Sequence, residues 1–410
     1  MAETPNAAPA NWKRHLYLLL AINTSSHMQN TGGRFAVLLF ALHQGASPLV
    51  AGILFGMNSL VPALTSVFIG RMLDRRRDMR MPLLIASVVT TVGSLLPFFW
   101  ESLASLFIFT AVTGSAFNVC RIGSQQMTGR YGAPDDRAAS YNLYAQGLAA
   151  GSLIAPLICG FAIDHGGYRI AFLALAALNL PMVIVLGLNR LYLPASDTVA
   201  TAKVQDKEQG NGPGKGSAGI LSLLQLPQLR RVLIAGVCLM TVWDMFVFAW
   251  PLYGTQLKLS ASQIGLIAGI FYSGTFIVRT FATLLLRRFS QWQLLLMAML
   301  LSSLMFIAYG FLTNLVALGA LSLVLGMVLG IMQPMTMSLI YEEAPPERRG
   351  EAIGLRLTMA FVLHNVAPLL AGALASVLGM GSVWMVAAAT LMAGGWATRG
   401  QWHYRRSAQE

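Results

Sequence analysis

Five charged side chains fall inside apolar stretches of the sequence: Arg34, Arg121, Asp244, Arg279 and Arg356. A charge in the middle of a membrane-spanning helix costs roughly 2.5–3.5 kcal/mol on insertion scales, so such groups usually face water, a solute or a partner. Four of the five are arginines, whose planar guanidinium matches carboxylate and phosphate groups, and they therefore predict binding of an anion. Asp244 is the most central carboxylate, and we expect it to bind and release a proton as its surroundings change.

The charged residues belong to polar stripes at helical spacing. In the first apolar run Asn23, His27, Asn30 and Arg34 recur at i, i+4, i+7 and i+11, which places them on one face of a helix. We predict that His27, Arg34 and Asp244 take part in proton coupling. The predicted solute-binding residues are Asn30, Arg34, Asn118, Arg121, Trp243, Tyr272, Arg279, Gln333 and Arg356.

The sequence leaves an alternative open for each of these assignments. Arg34 and Arg356 could extend their flexible stems to opposite membrane surfaces. Asp244 could form a permanent salt bridge with Arg34. His27 and His364 can titrate near neutral pH, but a buried histidine with satisfied hydrogen bonds is the commoner case. The aromatic residues could belong to ordinary helix packing.

The elements that carry these residues follow from composition. The chain has 410 residues, 56% of them hydrophobic and only 11% charged, whereas about 25% of a soluble domain is charged. This excludes a soluble globule, a disordered chain, a coiled coil and a disulfide scaffold. Apolar runs long enough for the ~30 Å hydrocarbon core can be drawn at 16–42, 48–70, 82–99, 103–127, 139–163, 169–190, 230–254, 263–286, 292–312, 315–340, 352–377 and 382–398.

These runs predict an all-α membrane protein with twelve transmembrane helices in two parallel, pseudo-symmetric six-helix bundles. The first bundle spans 1–191 and the second 229–410. The intervening residues 192–228 have no core-forming content and predict a flexible cytoplasmic linker.

The distribution of basic residues predicts the orientation. With the N-terminus in the cytoplasm, 22 Lys and Arg residues lie in cytoplasmic segments, whereas only Arg169 and Lys258 lie in outer loops. This asymmetry predicts a multi-pass protein of the cell (inner) membrane with both termini cytoplasmic. The net charge of +12 therefore reports orientation, and we expect no nucleic-acid partner. The three cysteines lie in apolar runs without metal-ligand spacing, so we expect no metal and no cofactor.

The two halves of the chain align without a gap at an offset of 212 residues. Residues 155–160 (APLICG) match 367–372 (APLLAG), and Gly114 matches Gly326. Six helices per half give both halves the same orientation. Parallel repeats of this kind build transporters whose site lies between the halves near the bilayer midplane.

The loop between the second and third runs, GRMLDRRRDMR from Gly70 to Arg80, resembles the hallmark loop of the major facilitator superfamily. Gly70, Asp74, Arg75 and Arg80 fit that pattern, and Arg77 departs from it. The resemblance implies that Asp74 faces the N-terminus of the eleventh helix, where the helix dipole favours a carboxylate, and latches one end state of the transport cycle. The alternative is that the arginines only anchor the topology.

The fifth run resembles the antiporter motif of the same superfamily. Its pattern is Gly147-xxx-Gly151-xxx-Ala155-Pro156-xx-Cys159-Gly160, with Ala155 and Cys159 where glycines are usual. The resemblance implies a gating role for Gly151, Pro156 and Gly160. It also implies that helices 1, 4, 7 and 10 line a central cavity.

Together these features predict a secondary active transporter that exports a small organic solute, anionic or amphipathic, by alternating access coupled to protons. The alternative is proton-coupled uptake or exchange of an organic anion. No paired catalytic carboxylates, HExxH or phosphate loop occur, so we expect no enzyme. The expected partners are the solute, protons and the lipid bilayer, and we expect a monomer.

Overall fold

The computed structural model describes residues 11–74, 78–131, 137–193, 222–345 and 348–399, and all regular structure in these ranges is helical. The helices are α1 (Trp12–His43), α2 (Pro48–Asp74), α3 (Arg80–Phe99), α4 (Leu103–Thr128), α5 (Arg137–Gly187), α6 (Pro227–Gln256), α7 (Ala261–Leu286), α8 (Gln291–Tyr309), α9 (Leu315–Gly330), α10 (Met332–Glu343), α11 (Arg349–Leu378) and α12 (Met380–Thr398). A single 3₁₀ turn, Leu223–Gln225, precedes α6. The predicted all-α membrane fold is confirmed.

Two predicted boundaries differ from the structure. The runs 139–163 and 169–190 form one helical element, α5, which is interrupted only at Gly167 with φ 75° and ψ −179°. That backbone conformation is essentially restricted to glycine. Conversely, the run 315–340 is divided at Ile331 into α9 and α10. Pro334 follows three residues later and has no N–H, which leaves the Gly330 carbonyl without its helical donor.

Within the part of the chain that the structure describes, nine helical segments are long and apolar enough to cross a membrane. One of them comes from α5 and therefore contains two of the predicted runs. The total of twelve spans remains a prediction. Most of the predicted linker, residues 194–221, lies outside the described residues, and the boundaries 1–191, 192–228 and 229–410 also remain predictions.

The first of two compact units comprises Met1–Phe40 and Met57–Asn211. In this unit α3 packs against α4 and α5. The buried Asn179 on α5 donates from Nδ2 to the Ser87 carbonyl at 2.8 Å and to Thr91 Oγ1 at 3.0 Å on α3. These hydrogen bonds fix α5 to α3 in a region where water cannot compete for the donor.

The second unit comprises Ala41–Gly56 and Gly212–Glu410. In it α7 packs against α9, α8 against α12, and α6 against both α11 and α12. Its centre holds a buried aromatic cluster of Phe246, Phe306, Tyr309 and Trp384, whose ring centroids are 5.1–6.3 Å apart for the pairs in contact. Such separations are typical of favourable aromatic pairs.

Glycines allow the closest helix crossings in each unit. A methyl group added at Gly114 on α4 would lie 2.5 Å from the Asn58 carbonyl oxygen on α2. A methyl group added at Gly326 on α9 would overlap the Phe271 carbonyl on α7. Small residues of this kind let helix backbones approach closely inside a membrane. The repeat-related positions Gly114 and Gly326 therefore share one structural role.

Candidate functional site

The first polar site lies where α1 meets α5. His27 Nε2 on α1 is 3.0 Å from Ser152 Oγ on α5 and 3.4 Å from Thr31 Oγ1. A methyl group added at Gly151 would lie 3.3 Å from His27 Cδ2, so a larger residue at 151 would push the helices apart. Pro156 has no N–H, and the carbonyl of Ser152 therefore lacks its usual helical donor. A polar contact thus coincides with a locally weakened turn of α5.

Two arginines surround this contact. Arg34 and Arg121 both lie within electrostatic range of His27. Arg121 donates from Nη2 to Asn118 Oδ1 at 3.2 Å, while the buried Asn118 donates to the Pro62 carbonyl at 3.5 Å. The structure therefore brings four of the predicted residues of this unit together around α1 and α4.

Asn30 has a structural role in the same unit. It is 9% exposed and donates from Nδ2 to Asn58 Oδ1 on α2 at 3.5 Å. Asn58 is also the residue whose backbone contacts Gly114. Asn30 and Asn118 thus connect α1 and α4 to α2 and hold the polar face of α1 in position.

The second polar site lies where α6 meets α11. Asp244 Oδ2 on α6 is 2.8 Å from His364 Nδ1 on α11, and the two side chains are 4% and 34% exposed respectively. A charged carboxylate buried to this degree requires a hydrogen-bonding partner. The sequence had suggested Arg34 as that partner, and the pairing with Arg34 remains a prediction. The sequence does not predict the contact of His364 with Asp244.

The two polar contacts occupy related positions in the internal repeat. Ser152 and His364 differ by the repeat offset of 212 residues, as do Pro156 and Pro368. In both halves the polar contact therefore lies on the turn of the fifth repeat helix whose carbonyl loses its donor to proline. The repeat alignment was the signal that could have identified His364 from the sequence.

The remaining predicted solute-binding residues of the second unit that the structure describes lie in different surroundings. Trp243 and Tyr272 form an aromatic pair with ring centroids 6.2 Å apart, and both are half-buried. Arg279 on α7 is exposed, whereas Arg356 on α11 is only 6% exposed. The side chain of Gln333 lies outside the described residues.

The structure describes only some of the predicted gating residues. Gly70 and Asp74 lie in the last turns of α2, but the surroundings of their side-chain positions, and all of Arg75, lie outside the described residues. Arg80 donates from Nη2 to the Leu191 carbonyl at 2.9 Å. Within its own unit Arg80 therefore anchors the chain that leaves α5. Its gating role remains a prediction.

Tyr131 strengthens this anchor. Its hydroxyl donates to the Tyr192 carbonyl, and the Tyr192 N–H donates to His15 Nδ1 at 3.2 Å. Burial, with a smaller effect from Tyr192, raises the pKa of the Tyr131 phenol above its usual range. The phenol thus remains protonated and able to donate.

The predicted gating residues of the fifth run are buried. Gly151, Pro156 and Gly160 are all enclosed by protein, and Gly147 approaches Thr24 of α1 so closely that a methyl group would lie 2.5 Å from its Oγ1. Part of the motif therefore acts as a close packing surface for α1. Its effect on gating remains a prediction.

Comparison with known proteins gives a consistent family. The family model described as Major Facilitator Superfamily matches residues 19–362 and 232–401. Multidrug resistance protein MdtG of Klebsiella pneumoniae (strain 342) is 23% identical over 403 residues, covering 94% of this chain and 92% of that protein. The vesicular acetylcholine transporter of Homo sapiens is 27% identical over 187 residues, and the match spans only 35% of that protein.

Solved structures share the fold at low sequence identity. The inward-facing, unoccupied structure of a bacterial homolog to the human lysosomal transporter Spinster aligns with a TM-score of 0.76 at 13% identity, covering 96% of this chain and 98% of that one. A POT family transporter in complex with 5-aminolevulinic acid aligns with a TM-score of 0.73 at 15% identity, covering 95% and 96%.

Proposed function

Because the chain belongs to the major facilitator superfamily, we propose that it is a proton-coupled secondary active transporter that exports a small organic solute by alternating access. The solute is anionic or amphipathic. We also propose that it lies in the inner membrane with both termini cytoplasmic, which is supported by the 22 basic residues in the predicted cytoplasmic segments against two outside. Family membership alone does not determine the direction of transport or the coupling ion, because proteins of one fold carry out different functions.

The observation that carries the proposal is the pair formed by Asp244 and His364. The Asp244 side chain is 4% exposed and the His364 side chain 34% exposed, with 2.8 Å between Oδ2 and Nδ1. When Nε2 of His364 takes up a proton, the proton on Nδ1 can pass to the Asp244 carboxylate, which leaves the imidazole neutral with its proton on Nε2. Asp244 is thereby neutralised without itself reaching water.

Protonation of Asp244 changes the contact between α6 and α11. The charge-assisted hydrogen bond to His364 is replaced by a weaker neutral one. Both contact residues lie close to a proline-weakened turn, since Pro368 has no N–H for the His364 carbonyl. We propose that the loss of this hydrogen bond allows α11 to change its position relative to α6 during the transport cycle.

An anionic solute is supported by the balance of charge within the predicted spans. These contain four arginines, Arg34, Arg121, Arg279 and Arg356, and only one central carboxylate, Asp244. Arg121 is held in place by Asn118 at 3.2 Å. A guanidinium fixed in this way loses little conformational entropy when it binds a carboxylate or phosphate.

Export is supported by two independent features. One is the antiporter-like pattern of α5, whose Gly147 and Gly151 pack closely against α1. The other is the similarity over 94% of the chain to a protein named for multidrug resistance. The alternative, proton-coupled uptake or exchange of an organic anion, would use the same arginines with the opposite direction of coupling.

A reconstituted transport assay tests this proposal. Purified protein in liposomes is given a pH gradient, and the movement of radiolabelled organic acids, and of their neutral amides, is measured. Export predicts that solute and protons move in opposite directions across the membrane. Movement of solute and protons in the same direction would support uptake. Solute movement that does not depend on the pH gradient would contradict proton coupling.

A single substitution tests whether Arg121 binds an anionic solute. Arg121→Ala should weaken transport of an acid more than that of its neutral amide, since it removes a charge-assisted interaction of about 1.5–3 kcal/mol. An equal effect on acid and amide would assign Arg121 to helix packing.

A further inference from the structure

The first residues after α5 are held by side chains from three other parts of the first unit. Arg80 on α3 donates from Nη2 to the Leu191 carbonyl at 2.9 Å, and Tyr131, which follows α4, donates from its hydroxyl to the Tyr192 carbonyl. His15 on α1 accepts the Tyr192 N–H at Nδ1, at a distance of 3.2 Å. We call these five residues the linker anchor, because Tyr192 is the first residue of the predicted linker.

The peptide group between Leu191 and Tyr192 depends on these side chains. It lies beyond the last turn of α5, so neither its carbonyl nor its N–H belongs to the hydrogen bonds of that helix. The Leu191 side chain is 1% exposed and belongs to a buried cluster with Leu16 of α1 and Leu83 of α3. The Tyr192 N–H therefore relies on Nδ1 of His15 as its acceptor.

His15 is the member of the linker anchor whose side-chain type changes charge near neutral pH. The neutral imidazole carries one proton, and because Nδ1 accepts a hydrogen bond, that proton lies on Nε2. The imidazolium carries a proton on each nitrogen and has no acceptor. A second proton on His15 and the hydrogen bond from the Tyr192 N–H therefore exclude each other.

The other charged or titratable side chains of the segments that meet at the linker anchor are of types that titrate outside the range of about pH 5–8. They are Lys13 and Arg14 on α1, Asp78 and Arg80 at the start of α3, Arg130 and Tyr131 after α4, and Arg190 and Tyr192 after α5. Among the described residues, no carboxylate forms an ion pair with His15. A proton on this imidazole therefore gains no partner that would compensate for the lost hydrogen bond.

We propose that His15 makes the linker anchor sensitive to pH, because the neutral imidazole holds the Tyr192 N–H and protonation releases it. The anchored state excludes the second proton, so linkage weakens the anchoring as the pH falls. The hydrogen bonds from Arg80 and Tyr131 remain, and so does the ring contact between His15 and Tyr192, whose centroids are 6.0 Å apart. Protonation thus loosens one peptide group and leaves the helices of the unit folded.

The proposed orientation gives this switch a functional context. It places His15 and Tyr192 on the cytoplasmic side of the membrane. An exporter that exchanges its solute for protons releases protons on that side, and the linker anchor then responds to the ion that drives transport. This consequence rests on the proposed function, whereas the pH sensitivity of the linker anchor does not.

Hydrogen exchange of the Tyr192 amide tests the switch. The purified protein in phosphatidylcholine nanodiscs is labelled with deuterium at about pH 7.5 and about pH 5.5, without solute or gradient, and electron-transfer fragmentation resolves this amide. Comparison with the exchange rate of an unfolded peptide at the same pH gives its protection factor. We expect the protection factor of Tyr192 to fall about 2- to 10-fold at the lower pH, which corresponds to the net contribution of one hydrogen bond.

Three substitutions separate the switch from folding. His15→Asn places a neutral amide oxygen near the position of Nδ1, so Tyr192 should be protected equally at both pH values. His15→Leu has no acceptor, so the protection should be low at both. His165→Asn removes another histidine of the same unit, whose Nδ1 contacts the Phe161 carbonyl, and should retain the pH dependence of the wild type. The amides of α4 are the internal reference for folding in each variant.

The wild type and His15→Asn together decide the outcome. A fall in protection that occurs in the wild type and not in His15→Asn would support the inference, even if transport proved independent of protons. Equal protection of the wild type at the two pH values would overturn it, and so would an equal fall in His15→Asn, since another group would then be responsible. If His15→Leu protected Tyr192 as well as the wild type does at the higher pH, Nδ1 would not hold the amide and the inference would be wrong. None of these results depends on the transport assay, so failure here leaves the proposed function intact.

Discussion

Substitution of Gly326 by alanine should separate α9 from α7. The added methyl group would overlap the Phe271 carbonyl, a backbone atom that no change of rotamer can move. Overpacking of a close-packed site costs typically about 1–3 kcal/mol. The crossing also contains the hydrogen bond from Thr275 Oγ1 to the Gly326 carbonyl at 3.1 Å, and hydrogen bonds of this kind contribute on average ~0.6 kcal/mol in a membrane.

The neighbouring Gly319 is the matched control on the same face of α9. A methyl group there would lie 3.6 Å from Ile270 Cδ1, an ordinary contact. Because alanine is favoured over glycine inside a helix by roughly 0.5–1 kcal/mol, Gly319→Ala should be neutral or slightly stabilising. Both variants gain this helix propensity, so it cancels, and the predicted difference between them is the overpacking cost of about 1–3 kcal/mol in the free energy of unfolding.

Reversible unfolding in mixed micelles, followed by tryptophan fluorescence, measures this difference. Gly114→Ala should resemble Gly326→Ala, since its methyl group would lie 2.5 Å from the Asn58 carbonyl oxygen. If Gly326→Ala were as stable as Gly319→Ala, the close approach of α7 and α9 would be wrong, and with it the shared role of the two glycines in the repeat.

Three further changes test other parts of the structure. Gly167→Ala should destabilise the protein by about 1–3 kcal/mol, because the backbone angles φ 75° and ψ −179° are essentially restricted to glycine. Its control is Gly187→Ala, whose methyl group would lie 3.9 Å from the nearest atom. Equal unfolding midpoints for the two variants would exclude backbone strain at Gly167. Asn179→Leu should lose the two hydrogen bonds to α3, or about 1–2 kcal/mol; an unchanged free energy of unfolding would show that they contribute nothing. Tyr131→Phe removes the donor to the Tyr192 carbonyl, so limited proteolysis should cleave faster after α5; an unchanged cleavage rate would contradict the anchor.

The sequence predicts most helix positions because the thickness of the bilayer determines them. The runs 48–70 and 103–127 correspond to α2 (Pro48–Asp74) and α4 (Leu103–Thr128). Apolar content indicates which residues cross the hydrocarbon core, but it does not indicate the backbone dihedral angles at which a helix ends. The gap between the runs 139–163 and 169–190 predicts a loop, whereas the chain turns at Gly167 alone while the flanking residues remain helical.

The sequence predicts which residues of the candidate sites share a helix face, but it does not predict which residues they contact. The spacing of His27, Asn30 and Arg34 places them on one side of α1, because a helix has 3.6 residues per turn. Which residue meets Asp244 depends on the register between α6 and α11, which the sequence of either helix does not contain. A position near a helix end also fits a surface-reaching Arg356, and only packing shows that it is 6% exposed.

Gradient-driven transport by Asp244→Asn, compared with solute exchange at equal pH, tests the central claim most directly. Asparagine retains the size and hydrogen-bonding capacity of the buried side chain 2.8 Å from His364 but cannot take up a proton. We predict that the variant exchanges labelled for unlabelled solute and no longer accumulates it in response to a pH gradient, and that His364→Gln slows gradient-driven transport more than exchange. Accumulation at the wild-type level by Asp244→Asn would contradict the proposed role of this pair in proton coupling.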